Sequence, residues 1–201
     1  PSIVWSEPDN KVFKIGNSVE LKWTSSDNVG VDKVDLSYSK DQSEWIEVAK
    51  QITNQNKYIH PFDDAFLWEG YAEIIDEILE EDIVPDTVVL SVGGGGLLCG
   101  ISEGLKKNNL DKTSILAIET EGADSLHNSY TQNRHVSIDS IDSIATSLGT
   151  KKVAHHAFEI SKEKNVFCKL VTDKDAIKSV DLFLNDHRIL VEPACGASLA
   201  S

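Results

Sequence analysis

Four consecutive glycines, Gly93 to Gly96, stand directly after the apolar run "LSV" and directly before "LLCG". Four residues in a row without a Cβ permit left-handed backbone and a close approach of main chain to a ligand. Their N–H groups can converge on one concavity at the positive end of a following helix, an anion site suited best to a phosphate. Such a site needs no basic side chain, and none flanks these glycines. The pattern is neither a GxGxxG dinucleotide fingerprint nor a nucleotide P-loop, since no Lys-Ser/Thr pair follows. The competing reading is a tight turn that lets a helix pack closely on a sheet.

Other residue types that could do chemistry carry weaker patterns. Glu119 ends an apolar run, as a ligand or as a strand-end carboxylate bonded to its own loop. His155 and His156 are adjacent, so on a helix they point apart and read as a solvated face rather than a metal site. Asp63 and Asp64 could be paired carboxylates, but they read better as the cap of a helix beginning near Ala65. Cys99, Cys168 and Cys195 are far apart and form no CxxC pair. Neither a zinc site nor a disulfide framework is expected, and reduced thiols fit a cytoplasmic setting. Cys195, in "EPACGA", reads as a small residue packed beside the glycine and not as a nucleophile.

The elements that must hold the glycines are legible around them. Thr87 to Val92 is continuous and β-branched, as a strand buried on both faces reads. Leu97 to Asn108 follows as a helix, and Ile115 to Glu119 as a second buried strand. Ala72, Ile75, Ile78 and Leu79 recur at helical spacing within a helix over Trp68 to Glu81. Val171 to Asn185 is a further helix with an N-cap at Thr172-Asp173. Strand, helix, strand in alternation gives an α/β fold with a parallel sheet and flanking helices. Before residue 57 the character differs. Val19, Leu21 and Trp23 alternate with polar residues, Val31 to Ser39 repeats the alternation, and Trp45 to Ala49 is a third short strand. The chain therefore divides into a β-rich piece over residues 1–57 and an α/β domain over residues 58–201.

Composition bounds the function. The 201 residues are 40% hydrophobic and 26% charged, the balance of a globular chain. The formal net charge is −14, with 33 acidic and 19 basic residues. That excludes non-specific nucleic-acid binding and docking on anionic lipid. No apolar run is long enough to span a bilayer. No signal peptide is visible, although the chain starts at Pro1 and contains no Met, the marks of a processed or excised piece. The charge is unevenly divided, −3 over residues 1–55 and −11 over the rest.

Five segments carry a resemblance: "YIHPFDDAFLWEGYAEI" (Tyr58 to Ile74), "LSVGGGGLLCGISEGL" (Leu90 to Leu105), "AIETEGADSLH" (Ala117 to His127), "IATSLGTKKV" (Ile144 to Val153) and "ILVEPACGASLA" (Ile189 to Ala200). In this order and spacing they resemble the serine/threonine dehydratases, ammonia-lyases among the fold type II pyridoxal-phosphate enzymes. The segment "DNVGVDKVDLSYSKDQSEWIEV" (Asp27 to Val48), with Ser18 to Thr24, resembles part of a bacterial immunoglobulin-like or fibronectin-like module. A β-hairpin extension is the alternative there.

The dehydratase resemblance implies a partial fold type II domain and a lyase reaction. L-serine would give pyruvate and ammonia, or L-threonine 2-oxobutanoate and ammonia. It implies pyridoxal 5'-phosphate as cofactor, with its phosphate on Gly93, Gly94, Gly95 and Gly96 and its ring against Ser147. It further implies a monovalent cation, potassium, held by Glu119, Ala123, Leu148 and Thr150, with Gly93 a further candidate. A hard cation on one carboxylate and backbone carbonyls is chemically sensible. The partner is a small amino-acid substrate, and family members pair as homodimers. One departure matters. The family's Schiff-base lysine stands in a Ser-x-Lys-x-Arg context, and no lysine here does; Lys40, in "SYSKDQS", lacks the arginine. No catalytic residue is therefore assigned, and this chain alone is expected to be inactive. The alternatives are an extracellular immunoglobulin-like binding module with a degenerate lyase tail, or a chimeric fragment with no single function.

Overall fold

Alternating residues near the start of the chain draw Trp23–Ser25 (β2) into antiparallel pairing with Ile3–Trp5 (β1), with Val4 opposite Thr24. The computed structural model describes these two strands and residues 59–201. The chain divides into units Pro1–Ile59 and His60–Ser201. β2 overlaps the end of the first strand expected from the alternation. The strands expected at Val31 to Ser39 and Trp45 to Ala49 lie outside the described residues.

The second unit is built on three parallel strands, β3 (Thr87–Ser91), β4 (Ser114–Thr120) and β5 (Val166–Val171), in that spatial order. Val88, Ile115 and Val166 lie in register, as do Leu90, Ala117 and Cys168. These rows share one face, which packs beneath α1 (Ala65–Glu80), α2 (Gly96–Lys107) and α4 (His155–Ile160). Ile118 and Val171 belong to a second cluster with Ala176 of α5 (Asp173–His187) and Ala194 and Ala197 of α6 (Pro193–Leu199). A short helix α3 (Ser125–Thr131) and a 3₁₀ turn at Thr146–Leu148 complete the chain between β4 and α4. Among the described residues no helix is long and apolar enough to cross a membrane.

The expected α/β architecture is present, with three differences. β3 is not buried on both faces: it is the edge of the described three-stranded sheet, and Val89 is 41% exposed. Asp64 caps α1, accepting the N–H of Phe66 at 3.0 Å, so the helix begins three residues before Trp68. β5 was not expected. Its outward residues Phe167 and Lys169 break the continuous apolar run that marks a buried strand, and its last residue, Val171, was assigned to the next helix. Thr172 caps α5 as expected, accepting the N–H of Asp175 at 3.1 Å. Cys195 corrects another expectation: it is exposed, and its neighbours Ala194 and Gly196 are the residues that pack.

The contact that fixes α1 on the sheet is written in glycine. Gly96, Gly100 and Gly104 recur every four residues and so share one face of α2. A Cβ added to Gly96 would lie 3.0 Å from the Phe62 carbonyl oxygen. At Gly100 it would lie 2.7 Å from the Trp68 oxygen, and at Gly104 2.6 Å from that of Ala72. The backbone of residues 62–72 rests directly on this stripe.

Helix propensity alone favours Gly→Ala by about 1 kcal/mol. Gly104→Ala is expected to do the opposite, losing about 1–3 kcal/mol through overpacking. Gly70, in α1, has nothing within 4 Å of an added Cβ. Gly70→Ala is therefore expected to stabilise by about 0.5–1 kcal/mol. Urea denaturation of both variants checks the pair, and a Gly104→Ala chain as stable as the parent would remove the case for the stripe.

Candidate cofactor site

The sheet's carboxyl ends and the loops beyond them gather most of the residues singled out above. In open parallel α/β sheets this edge is where ligands bind. Val92 donates its N–H to Ile118 at 2.8 Å, continuing the β3–β4 ladder one residue past β3. The four glycines then turn the chain into α2. Gly95 is the N-cap of α2 and adopts φ +91°, which an L side chain rarely takes. None of the hydrogen bonds among the described residues uses the N–H of Gly93, Gly94, Gly95 or Gly96. Gly95 and Gly96 are nevertheless buried. Buried amides without an acceptor are costly, and at the N-terminus of a 12-residue helix they favour an anion. The residues present thus fit a phosphate.

The packing reading also holds, and both demands fall on the same glycines. A Cβ on Gly94 would fall within the Phe62 ring, and one on Gly95 would lie 2.5 Å from the Ala157 Cβ of α4. A Cβ on Gly93 would lie 3.1 Å from the Ser147 carbonyl oxygen and 3.2 Å from the Leu148 Cα. The loop is thereby wedged among the segment before α1, the 3₁₀ turn and α4. Ser147 meets Gly93 through its main chain, and its residue surface is exposed at this edge.

Glu119 is only 2% exposed. Its carboxylate accepts the N–H of Leu126 at 2.9 Å and of His127 at 2.6 Å, so it caps the first turn of α3. Burial pushes its pKa up to about 8 against the pull of those two amides, with Asp124 adding repulsion. Ala123 is buried, and its N–H bonds the Thr120 carbonyl at 2.9 Å. Ala123 and Leu148 share the second apolar cluster with Ile118, the residue before Glu119. Thr150 donates its N–H to the Leu148 carbonyl at 2.8 Å. Two buried side-chain atoms, Ser125 Oγ and His127 Nδ1, have no hydrogen-bond partner among the described residues. They belong to the same turn that Glu119 caps.

A polar chain holds this edge together, and no sequence signal was assigned to it. Thr120 Oγ1 pairs with Ser143 Oγ at 2.8 Å, and Ser143 donates to Asp173 Oδ1 at 2.7 Å. Asp173 also accepts the N–H of Ile144 at 2.9 Å. The expected cap residue of α5 thus doubles as a tether for the segment leading to Ser147. Ser91 Oγ donates to the Ala194 carbonyl at 2.6 Å and contacts Ser198, seating α6 beside the end of β3. Of the weaker candidates, Asp64 is a cap and His156 stacks on Trp68 at 4.8 Å between ring centroids. Among the described residues no cluster of three His, Cys, Asp or Glu could hold a metal.

Glu119 gives this edge a pH signature. Its folded pKa lies above that of an ordinary carboxyl, so the folded form keeps the proton longer. Its contribution to stability is therefore greatest below the ordinary carboxylate range and is lost as pH rises towards about 8. In potassium-free buffer, thermal midpoints taken from pH 5 to pH 9 should fall more steeply for the parent than for Glu119→Gln. Parallel curves would mean that the carboxyl is not buried as described.

Residues 27–201 match the family model of the pyridoxal-phosphate dependent enzymes. The match takes in residues 27–57, so the resemblance of Asp27 to Val48 to an immunoglobulin-like module is not supported. The chain is 42% identical over 163 residues to the human (Homo sapiens) L-serine dehydratase/L-threonine deaminase, covering 79% of this chain and 49% of that protein. It is similar to the crystal structure of a fungal L-serine ammonia-lyase from Rhizomucor miehei, at TM-score 0.71 and 31% identity over 77% of this chain and 50% of that one. It is also similar to the serine racemase of Dictyostelium discoideum, at TM-score 0.65 and 29% identity over 79% of this chain and 49% of that one. The chain spans about half the length of the curated relatives it matches.

Proposed function

The chain belongs to the pyridoxal-phosphate dependent enzymes, and from that premise we propose that it forms the phosphate-binding side of an ammonia-lyase site acting on L-serine or L-threonine. The observation that carries the reading is the set of amides of Gly93 to Gly96, in part buried at the N-terminus of α2, that have no acceptor among the described residues. The names of the human relative and of the fungal structure favour deamination. The net reaction balances with no water gained or lost, because the water eliminated with the β-hydroxyl is taken up again on release of the nitrogen: L-serine yields pyruvate plus ammonia, and L-threonine yields 2-oxobutanoate plus ammonia.

When bound, pyridoxal phosphate supplies an electron sink for charge developing at the substrate's α-carbon. The work of this chain is positional. Gly93 to Gly96 donate N–H groups to the phosphate, with the α2 dipole behind them. Ser147, which follows the segment that the Thr120–Ser143–Asp173 chain holds, would lie against the ring. Glu119 and the carbonyls of Ala123, Leu148 and Thr150 would supply an all-oxygen set for potassium. The unpartnered Ser125 Oγ and His127 Nδ1 in the adjoining turn support that reading.

Equilibrium titration of the purified chain with pyridoxal phosphate tests the phosphate assignment. Gly95→Ala, strained at φ +91° and crowded by Ala157, should weaken binding at least tenfold. Equal affinities would sink the assignment. Borohydride reduction should leave the chain's mass unchanged, because no lysine stands in the family's Schiff-base context. Incubation of any active preparation with L-serine should release ammonia; D-serine in its place would favour a racemase.

Potassium binding has its own expected outcome. At pH 8, replacing tetramethylammonium by potassium should raise the thermal midpoint of the parent by a few degrees, roughly the shift of a ligand present at about 10 Kd. Glu119→Gln should show no such rise. A rise of equal size in both chains would place the ion elsewhere.

A further inference from the structure

One side chain lies across the glycine cradle that the proposed chemistry does not use. Phe62 precedes α1, and its ring fills the space in which a Gly94 Cβ would stand. Its carbonyl oxygen closes on Gly96, 3.0 Å from where a Cβ would be. The same carbonyl accepts the indole N–H of Trp68 at 2.8 Å.

The indole is held in turn by other elements. His156 of α4 stacks on it at 4.8 Å and an interplanar angle of 25°. His156 Nε2 comes within 3.7 Å of Glu103 Oε1 on α2. Below, the Trp68 backbone rests on Gly100 of the glycine stripe. Trp68 is therefore bracketed by α2 and α4 while its N–H fixes the main chain of Phe62.

A phenyl ring offers a phosphate no charge and no hydrogen bond. It can fix how far Gly94 and Gly96 stand from the rest of the site. Four glycines in a row have the largest backbone freedom of any tetrapeptide, and a cradle that wanders loses affinity to ordering. A wall pressed against Gly94 removes that freedom before the anion arrives. We propose that Phe62 sets the shape of the phosphate cradle and that Trp68 is the positioning residue that holds Phe62 in place. The inference rests on the glycine loop being the phosphate site.

Calorimetric titration with inorganic phosphate, with pyridoxal phosphate, and with pyridoxal lacking the phosphate tests both ideas and separates them. Trp68→Phe keeps a ring against His156 and removes only the donor. It should raise the Kd for phosphate and for pyridoxal phosphate about fivefold, the size of one lost neutral hydrogen bond. Its affinity for pyridoxal should not change, which a general loss of structure would not allow. Phe62→Ala should weaken phosphate at least as much, with Phe62→Leu as the substitute should the alanine chain not fold. The double variant should bind no worse than the Phe62 variant alone, because Trp68 acts through Phe62. Unchanged phosphate affinity in Trp68→Phe overturns the positioning role, and losses that simply add overturn the coupling. A parent chain that binds neither phosphate nor pyridoxal phosphate overturns the phosphate reading itself.

Discussion

Backbone against backbone is the contact on which this unit is organised. Where most helices meet through side chains, residues 62–72 lie on α2 through Gly96, Gly100 and Gly104, with carbonyl oxygens within about 3 Å of where Cβ atoms would stand. The approach is that close because nothing projects from α2 along that line. It brings Phe62 down onto Gly94 and places Trp68 where its indole reaches the Phe62 carbonyl. The first cluster of buried residues, from Ile75 through Leu98 to Phe158, then fills the space between the helices and the sheet. The position of the glycine loop follows from how deeply one segment sinks into another.

The opposite side of the same edge is organised by a buried carboxyl group. A carboxylate sealed from water needs donors, and Glu119 finds two in the first turn of α3. Neither donor belongs to β4, so the carboxylate ties strand end to helix start. Thr120 does the same one residue on, through Ser143 to Asp173 at the start of α5. Two consecutive residues thus fasten two different helices to one strand end. Cys168, beside them in the sheet, feels both effects: burial, then the charge of Glu119, push its thiol up to about 12. It is a packing residue, and Cys99 is another, raised to about 12 chiefly by burial.

The sequence made some of this legible. "TVVLSV" announced a strand and the glycines after it announced a turn into a helix, because both signals are local. Asp64 and Thr172 were readable as caps for the same reason. Burial of that strand on both faces did not follow, since which strand lies at the edge is set by the sheet's order and not by the run itself. β5 was missed because its burial alternates, with Phe167 half exposed at 52%, so it resembles neither a buried run nor a clean amphipathic strand. The stripe of Gly96, Gly100 and Gly104 lay in plain view at helical spacing. Its meaning required knowing which segment would lie across it, and that is a fact about a contact some 30 residues distant. Phe62 carries no local signal of its packing on Gly94 for the same reason. Likewise, Glu119 could be read as ligand or as cap from its position; the geometry makes it a cap of α3.

The unused amides of the glycine loop have a kinetic consequence. Amide hydrogens exchange slowly with solvent when they are bonded or when the segment that carries them must open. Here the two criteria part company. The loop is gripped on three sides by Phe62, Ala157 and the 3₁₀ turn, yet Gly93 to Gly96 bond their hydrogens to nothing among the described residues. A hydrogen-exchange map of the empty chain would show a bright stretch between two dark ones, over β3 and α2. Read as mobility, that stretch would mislead: it marks main chain held on three sides whose hydrogens have no acceptor among the described residues.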